Sequence, residues 1–95
     1  MENIILHCFY TGKNGDAKKF IDEMYASGCR DAVLAEDGCL QYDYFISAAD
    51  PEVGALMEKW RDKAALDAHT NGEPMRALKA VKAKYDLETK VERYE

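Results

Sequence analysis

The chain has 95 residues, 47% hydrophobic and 33% charged, with a net charge of −5. That length allows one domain, residues 1–95, with no room for a second core. The acidic balance excludes a nucleic-acid partner, because no basic stripe is present to meet phosphates, and no apolar run approaches a membrane span or signal-peptide core, so a cytoplasmic protein with no membrane partner is expected.

A chain this short buries only roughly 60–65% of its unfolded surface, so added burial through oligomerisation would help it. The three cysteines, Cys8, Cys29 and Cys39, are odd in number and contain no CxxC pair. They suggest neither a disulfide framework nor a zinc site, and read as reduced, small apolar residues.

The first expected element is a strand over Asn3–Tyr10, rich in β-branched and aromatic residues. Ile4, Leu6, Cys8 and Tyr10 point one way, and Ile5, His7 and Phe9 the other. A turn over Thr11–Gly15 leads to a helix with Asp16 as its expected N-cap. Ala17, Phe20, Ile21, Met24 and Tyr25 supply the helical stripe. Gly28 ends or interrupts that helix, and a short helical piece spans Arg30–Ala35.

Strand two is expected over Cys39–Ser47 and strand three over Gly54–Trp60, with Leu56 and Trp60 on one face and Met57 on the other. The Ala48–Val53 connection has hairpin length. Asp62 caps a helix containing Ala65, Leu66 and His69; Thr70-Asn71-Gly72 breaks it. Pro74 then opens a helix bearing Met75, Leu78, Val81 and Tyr85. Asp86–Tyr94 alternates as a last strand, and the charge-rich stretch Lys79–Arg93 reads as a solvated face. The order β-α-β-β-α-β implies an α+β, ferredoxin-like sandwich with an antiparallel four-stranded sheet.

Helices from one chain cover one face of such a sheet, yet strand one is apolar on both. A two-fold partner packed sheet to sheet is therefore expected, giving a homodimer with His7 facing its interface.

The run Glu36-Asp37-Gly38-(x3)-Tyr42-(x2)-Phe45, followed by Glu58-Lys59-Trp60-(x)-Asp62-(x2)-Ala65-Leu66-(x2)-His69, resembles the antibiotic biosynthesis monooxygenase family, which includes small cofactor-free quinol monooxygenases. The likeness runs over nearly the whole chain. It includes Lys13-Asn14-Gly15, where such proteins often read Lys-Pro-Gly. The resemblance implies a ferredoxin-like homodimer, a dimeric α/β barrel, with a ligand pocket between each subunit's sheet and helices. Expected pocket residues are Leu6, Cys8, Tyr42, Tyr44, Trp60, Met75 and Leu78. Haem-degrading relatives carry Trp where this chain has His69, His where it has Lys79, and Asn where it has Cys8, so haem degradation is rejected. Many quinol-type relatives have a second His where Pro74 stands here.

The implied activity is cofactor-independent oxidation of a quinol or related small aromatic by O2. Deprotonation makes the substrate electron-rich enough to reduce O2, so the protein need supply only a dry pocket, a base and hydrogen-bond donors. No flavin, nicotinamide, P-loop or metal motif is visible, and no cofactor is expected. His69 is the candidate catalytic base, since an imidazole titrates near neutrality. Trp60 and Tyr42 suit stacking on an aromatic ring. Each also has a structural reading: His69 packs or caps near a helix C-terminus, Trp60 and the tyrosines fill core, and Cys8 has nothing to lower its pKa. The alternative function is non-oxidative, a small-molecule-binding or isomerase role for the same pocket.

Overall fold

The computed structural model describes residues 3–94. Strand β1 (Ile4–Thr11) pairs antiparallel with both β3 (Val53–Trp60) and β4 (Glu88–Tyr94), and β3 pairs antiparallel with β2 (Cys39–Ile46). The sheet is open, in the order β2-β3-β1-β4. Register puts Cys8 opposite Leu56 on one side and Val91 on the other, while Tyr44 also faces Leu56. Directly opposed residues share a face, so Cys8, Leu56, Tyr44 and Val91 point to one side of the sheet.

Each crossover holds two helices rather than one. Helices α1 (Asp16–Ala26) and α2 (Cys29–Leu34) join β1 to β2, and α3 (Lys63–Thr70) and α4 (Glu73–Lys82) join β3 to β4. This β-α-α-β-β-α-α-β order keeps the ferredoxin-like topology. Gly28, at φ 80°, separates α1 from α2 in a left-handed conformation that glycine adopts without a Cβ clash. The resulting bend brings Arg30 to β2, where its Nε donates to the Tyr42 carbonyl at 2.8 Å and Nη2 bonds Asp43 at 2.8 Å.

Asp62 caps α3 as expected, its Oδ1 accepting from the Ala65 N–H at 2.9 Å. The cap of α1 differs: Gly15 holds that position and Asp16 lies inside the first turn, where a carboxylate still favours the helix dipole. Strand limits depart from the expected ones by one or two residues, the usual scatter of element ends.

All four helices lie on one side of the sheet. Phe20, Met24 and Val33 from the helices meet Tyr42, Leu56 and Trp60 from the strands in a fully buried core. Tyr44 sits inside an aromatic cluster, edge-on to Phe20 at 5.8 Å and to Tyr42 at 5.7 Å between ring centroids. The other face presents Ile5, His7, Phe9, Phe45, Ala55, Met57 and Tyr94, with Phe45 and Tyr94 about half exposed. His7 indeed lies on this face, its ring 5.1 Å from that of Tyr94. No helix among the described residues is long and apolar enough to cross a membrane.

Candidate functional site

Between the sheet and helices α3 and α4 lies a cavity of about 250 Å³. That is close to the lower end of small-ligand pockets, typically about 300–1,000 Å³. Leu6, Leu66, Met75 and Leu78 give it apolar walls, and Cys8, Tyr42, Glu58 and His69 form a buried polar floor. Of the residues expected from the sequence, His69, Leu6, Cys8, Tyr42, Met75 and Leu78 line it. Trp60 and Tyr44 do not reach its surface and stand behind it in the core.

His69 is 2% exposed, carried by the last turn of α3. Its Nδ1 lies 2.6 Å from Oε1 of Glu36, in the turn between α2 and β2. A carboxylate accepting from Nδ1–H holds the ring in one tautomer and leaves Nε2 with its lone pair free to take a proton. The imidazole also stacks on Trp60, with centroids 4.5 Å apart and planes 25° from parallel. Trp60 thus acts on the site through His69 by fixing the plane of the ring.

Glu58 is the site residue that the sequence reading passed over. It projects from β3 toward the helices and is 6% exposed. Trp60 Nε1 donates to one of its oxygens at 3.0 Å and the Cys8 thiol to the other at 3.3 Å. Both oxygens of Glu58 are thus occupied as acceptors. No ion pair to Glu58 forms among the described residues. The available signal was its place between Leu56 and Trp60, which strand alternation puts on the same buried face.

Burial, reinforced by the Glu58 carboxylate, pushes the Cys8 thiol up to about 12, so it stays protonated and serves as a donor. Burial likewise raises the Tyr42 phenol well above its ordinary value of 10.0. Neither group is an acid at neutral pH, and both present hydrogen-bonding atoms to the cavity. Lys79, Thr89 and Val91 are exposed at its rim, with the half-buried Lys82 beside them. Part of the Lys79–Arg93 stretch is therefore cavity wall and not only solvated surface.

These features define a ferredoxin-like α+β sandwich with a carboxylate-bound imidazole facing a small apolar cavity. The sequence profile of the antibiotic biosynthesis monooxygenase family matches residues 3–81, and the chain belongs to that family. Among proteins of curated function, none matches the sequence.

Solved structures agree in fold. A conserved protein of unknown function from Bacteroides thetaiotaomicron, described as a possible oxidoreductase, is 26% identical, with a TM-score of 0.85 over 98% of this chain and 96% of that one. PA3566 from Pseudomonas aeruginosa is 28% identical, with a TM-score of 0.83 over 99% and 93% of the two chains. A protein from Deinococcus radiodurans carrying the provisional description antibiotic biosynthesis monooxygenase is 19% identical, with a TM-score of 0.82 over 97% and 90%, a likeness of fold alone.

Proposed function

We propose that this protein is a cofactor-independent monooxygenase that oxidises a quinol or related small aromatic with O2. The observation that carries the reading is His69, which lines a small-molecule-sized cavity with apolar walls and is bonded through Nδ1 to Glu36 behind it. His69 Nε2 takes the proton of a substrate hydroxyl, with Glu36 stabilising the imidazolium that forms. The phenolate gives one electron to O2, and the resulting radical pair joins at a ring carbon as a hydroperoxide. Loss of water then leaves a hydroxyquinone. One O2 accepts four electrons in all, two from hydroxylating the C–H bond and two from the quinol, so atoms and electrons balance.

The apolar walls keep water from the anion and the reduced oxygen. Oxygen uptake with a panel of hydroquinones tests the reading. Uptake is expected with at least one, and its absence across the panel overturns the proposal. Two proton acceptors, His69 and Glu58, on one cavity also suit a non-oxidative isomerisation. That role is supported if a metabolite raises the melting temperature with no oxygen consumed.

The exposed apolar sheet face fits a homodimer packed sheet to sheet. Burying Phe9, Phe45, Met57 and Tyr94 against a second copy removes a patch that a monomer would leave in water.

A further inference from the structure

The cavity has two chemically different ends. At its floor Glu58 and His69 are buried proton acceptors, and no ion pair to Glu58 forms among the described residues. At its rim stand two cations of α4, Lys79 and Lys82, one helical turn apart. Many other cations of this acidic chain form ion pairs, such as Lys18 with Asp22, Lys63 with Asp67, Arg61 with Asp37 and, on α4 itself, Arg76 with Glu73, while Lys13 and Lys59, away from the cavity, form none among the described residues. Lys79 and Lys82 enter no ion pair among the described residues. Lys82 instead lies with its Nζ 5.7 Å from the centroid of the Tyr10 ring, a cation–π contact on the cavity wall.

We propose that the ligand is a hydroxylated aromatic acid, its hydroxyl at the Glu58 and His69 floor and its carboxylate between Lys79 and Lys82. The inference rests on reading this cavity as the ligand site, and it narrows the substrate class from neutral quinols to acidic ones. Charge enforces the orientation. A carboxylate at the floor would meet Glu58 in a poorly solvated space, whereas at the rim it meets two positive charges. The polarity of the cavity thus directs the oxidisable hydroxyl toward the base.

Calorimetric titration with three air-stable probes tests this: 6-hydroxy-2-naphthoate, 2-naphthol and 2-naphthoate, against the intact protein and a Lys79→Gln/Lys82→Gln variant. The hydroxy acid is expected to bind about tenfold more tightly than either probe lacking one group. Its advantage over 2-naphthol should vanish in the double variant and shrink as salt rises from about 20 to about 300 mM. Affinity for 2-naphthol should fall far less in the variant than affinity for the hydroxy acid. Equal or tighter binding of 2-naphthol, an acid preference that survives the double substitution, or no binding of any probe overturns the inference. Because these probes do not react with O2, the outcome is independent of turnover. An acid preference without oxygen uptake on any hydroquinone removes the monooxygenase reading alone. Uptake with a neutral quinol and no acid preference removes the inference alone.

Discussion

Glu36 and His69, 33 positions apart in the chain, are joined by a 2.6 Å hydrogen bond from the imidazole Nδ1 to the carboxylate. The bond orders a ring that Trp60 holds flat from below. His69→Ala is expected to reduce oxygen uptake by about a hundredfold or more, the scale of general-base catalysis. Glu36→Gln keeps the size of the side chain but no longer stabilises an imidazolium, so its loss should fall mainly on kcat and shift the pH profile. Circular dichroism should show both variants folded. Activity of Glu36→Gln equal to that of the parent protein would mean that the carboxylate has no part in the reaction.

Glu58 holds the indole N–H of Trp60 and the thiol of Cys8 inside the core. Glu58→Ala leaves the indole donor without its acceptor, at a cost of about 1–3 kcal/mol. Glu58→Gln keeps a carbonyl oxygen for Trp60 and should cost less. Urea unfolding monitored by the fluorescence of Trp60 measures both, and equal stabilities for the two variants would contradict this account.

Alkaline pH should unfold the protein well before neutral conditions do. Burial raises the Cys8 thiol from 9.0 to about 12 and the Cys39 thiol to about 11, and raises the Tyr10, Tyr42 and Tyr44 phenols above 10.0. The folded chain therefore retains protons that the unfolded chain releases. With fewer protons bound in the unfolded state, stability falls as pH rises; the contribution is complete below the unfolded values and is lost toward the folded ones. For Cys8 alone the slope approaches about 1.4 kcal/mol per pH unit between about pH 9 and 12. Urea midpoints should hold level from about pH 7 to 8.5 and drop from about pH 9 upward. A level midpoint up to about pH 11 would refute the assignment.

The open sheet face predicts the assembly. Sedimentation at micromolar concentration should give twice the chain mass. Met57→Glu, which places a charge at the middle of that face, should give a folded monomer. A monomeric parent protein would remove the sheet-to-sheet arrangement.

Gly38 explains part of the Glu36-Asp37-Gly38 run in backbone terms. Its φ is 83°, and a Cβ there would come within 2.4 Å of the Ala65 Cβ. The Arg61 N–H also donates to its carbonyl at 2.8 Å, tying the turn to the end of β3. Gly38→Ala should destabilise the fold by about 2 kcal/mol or more, since both backbone strain and a clash oppose it. A melting temperature within a degree of the parent's would count against this reading.

Much of this was visible along the chain. Two-sided apolar alternation in Ile4–Tyr10 marked the strand whose second face lies open, and Asp62 was legible as a cap because its partner, the Ala65 N–H, is three residues away. Two helices per crossover were signalled by Gly28 and by the Thr70–Gly72 break. His69, Leu6, Met75 and Leu78 are legible as cavity residues from the sequence, whereas Leu66 and Val91 are not. Trp60 and Tyr44 were expected at the cavity surface, but packing at the centre of the sheet leaves them beneath His69 and among the aromatic rings. Lys79 and Lys82 read as solvated charges because helical spacing alone does not reveal that β4 folds back beside α4 to make a rim.

The sequence by itself determined the elements, their order and which face of each is apolar, because those properties depend on neighbours within one strand or helix. Tertiary structure decided which carboxylate serves His69, that Glu58 lies buried between Trp60 and Cys8, and that a cavity remains above them. Those outcomes depend on strand register and on how closely α3 and α4 approach the sheet, which no local pattern encodes.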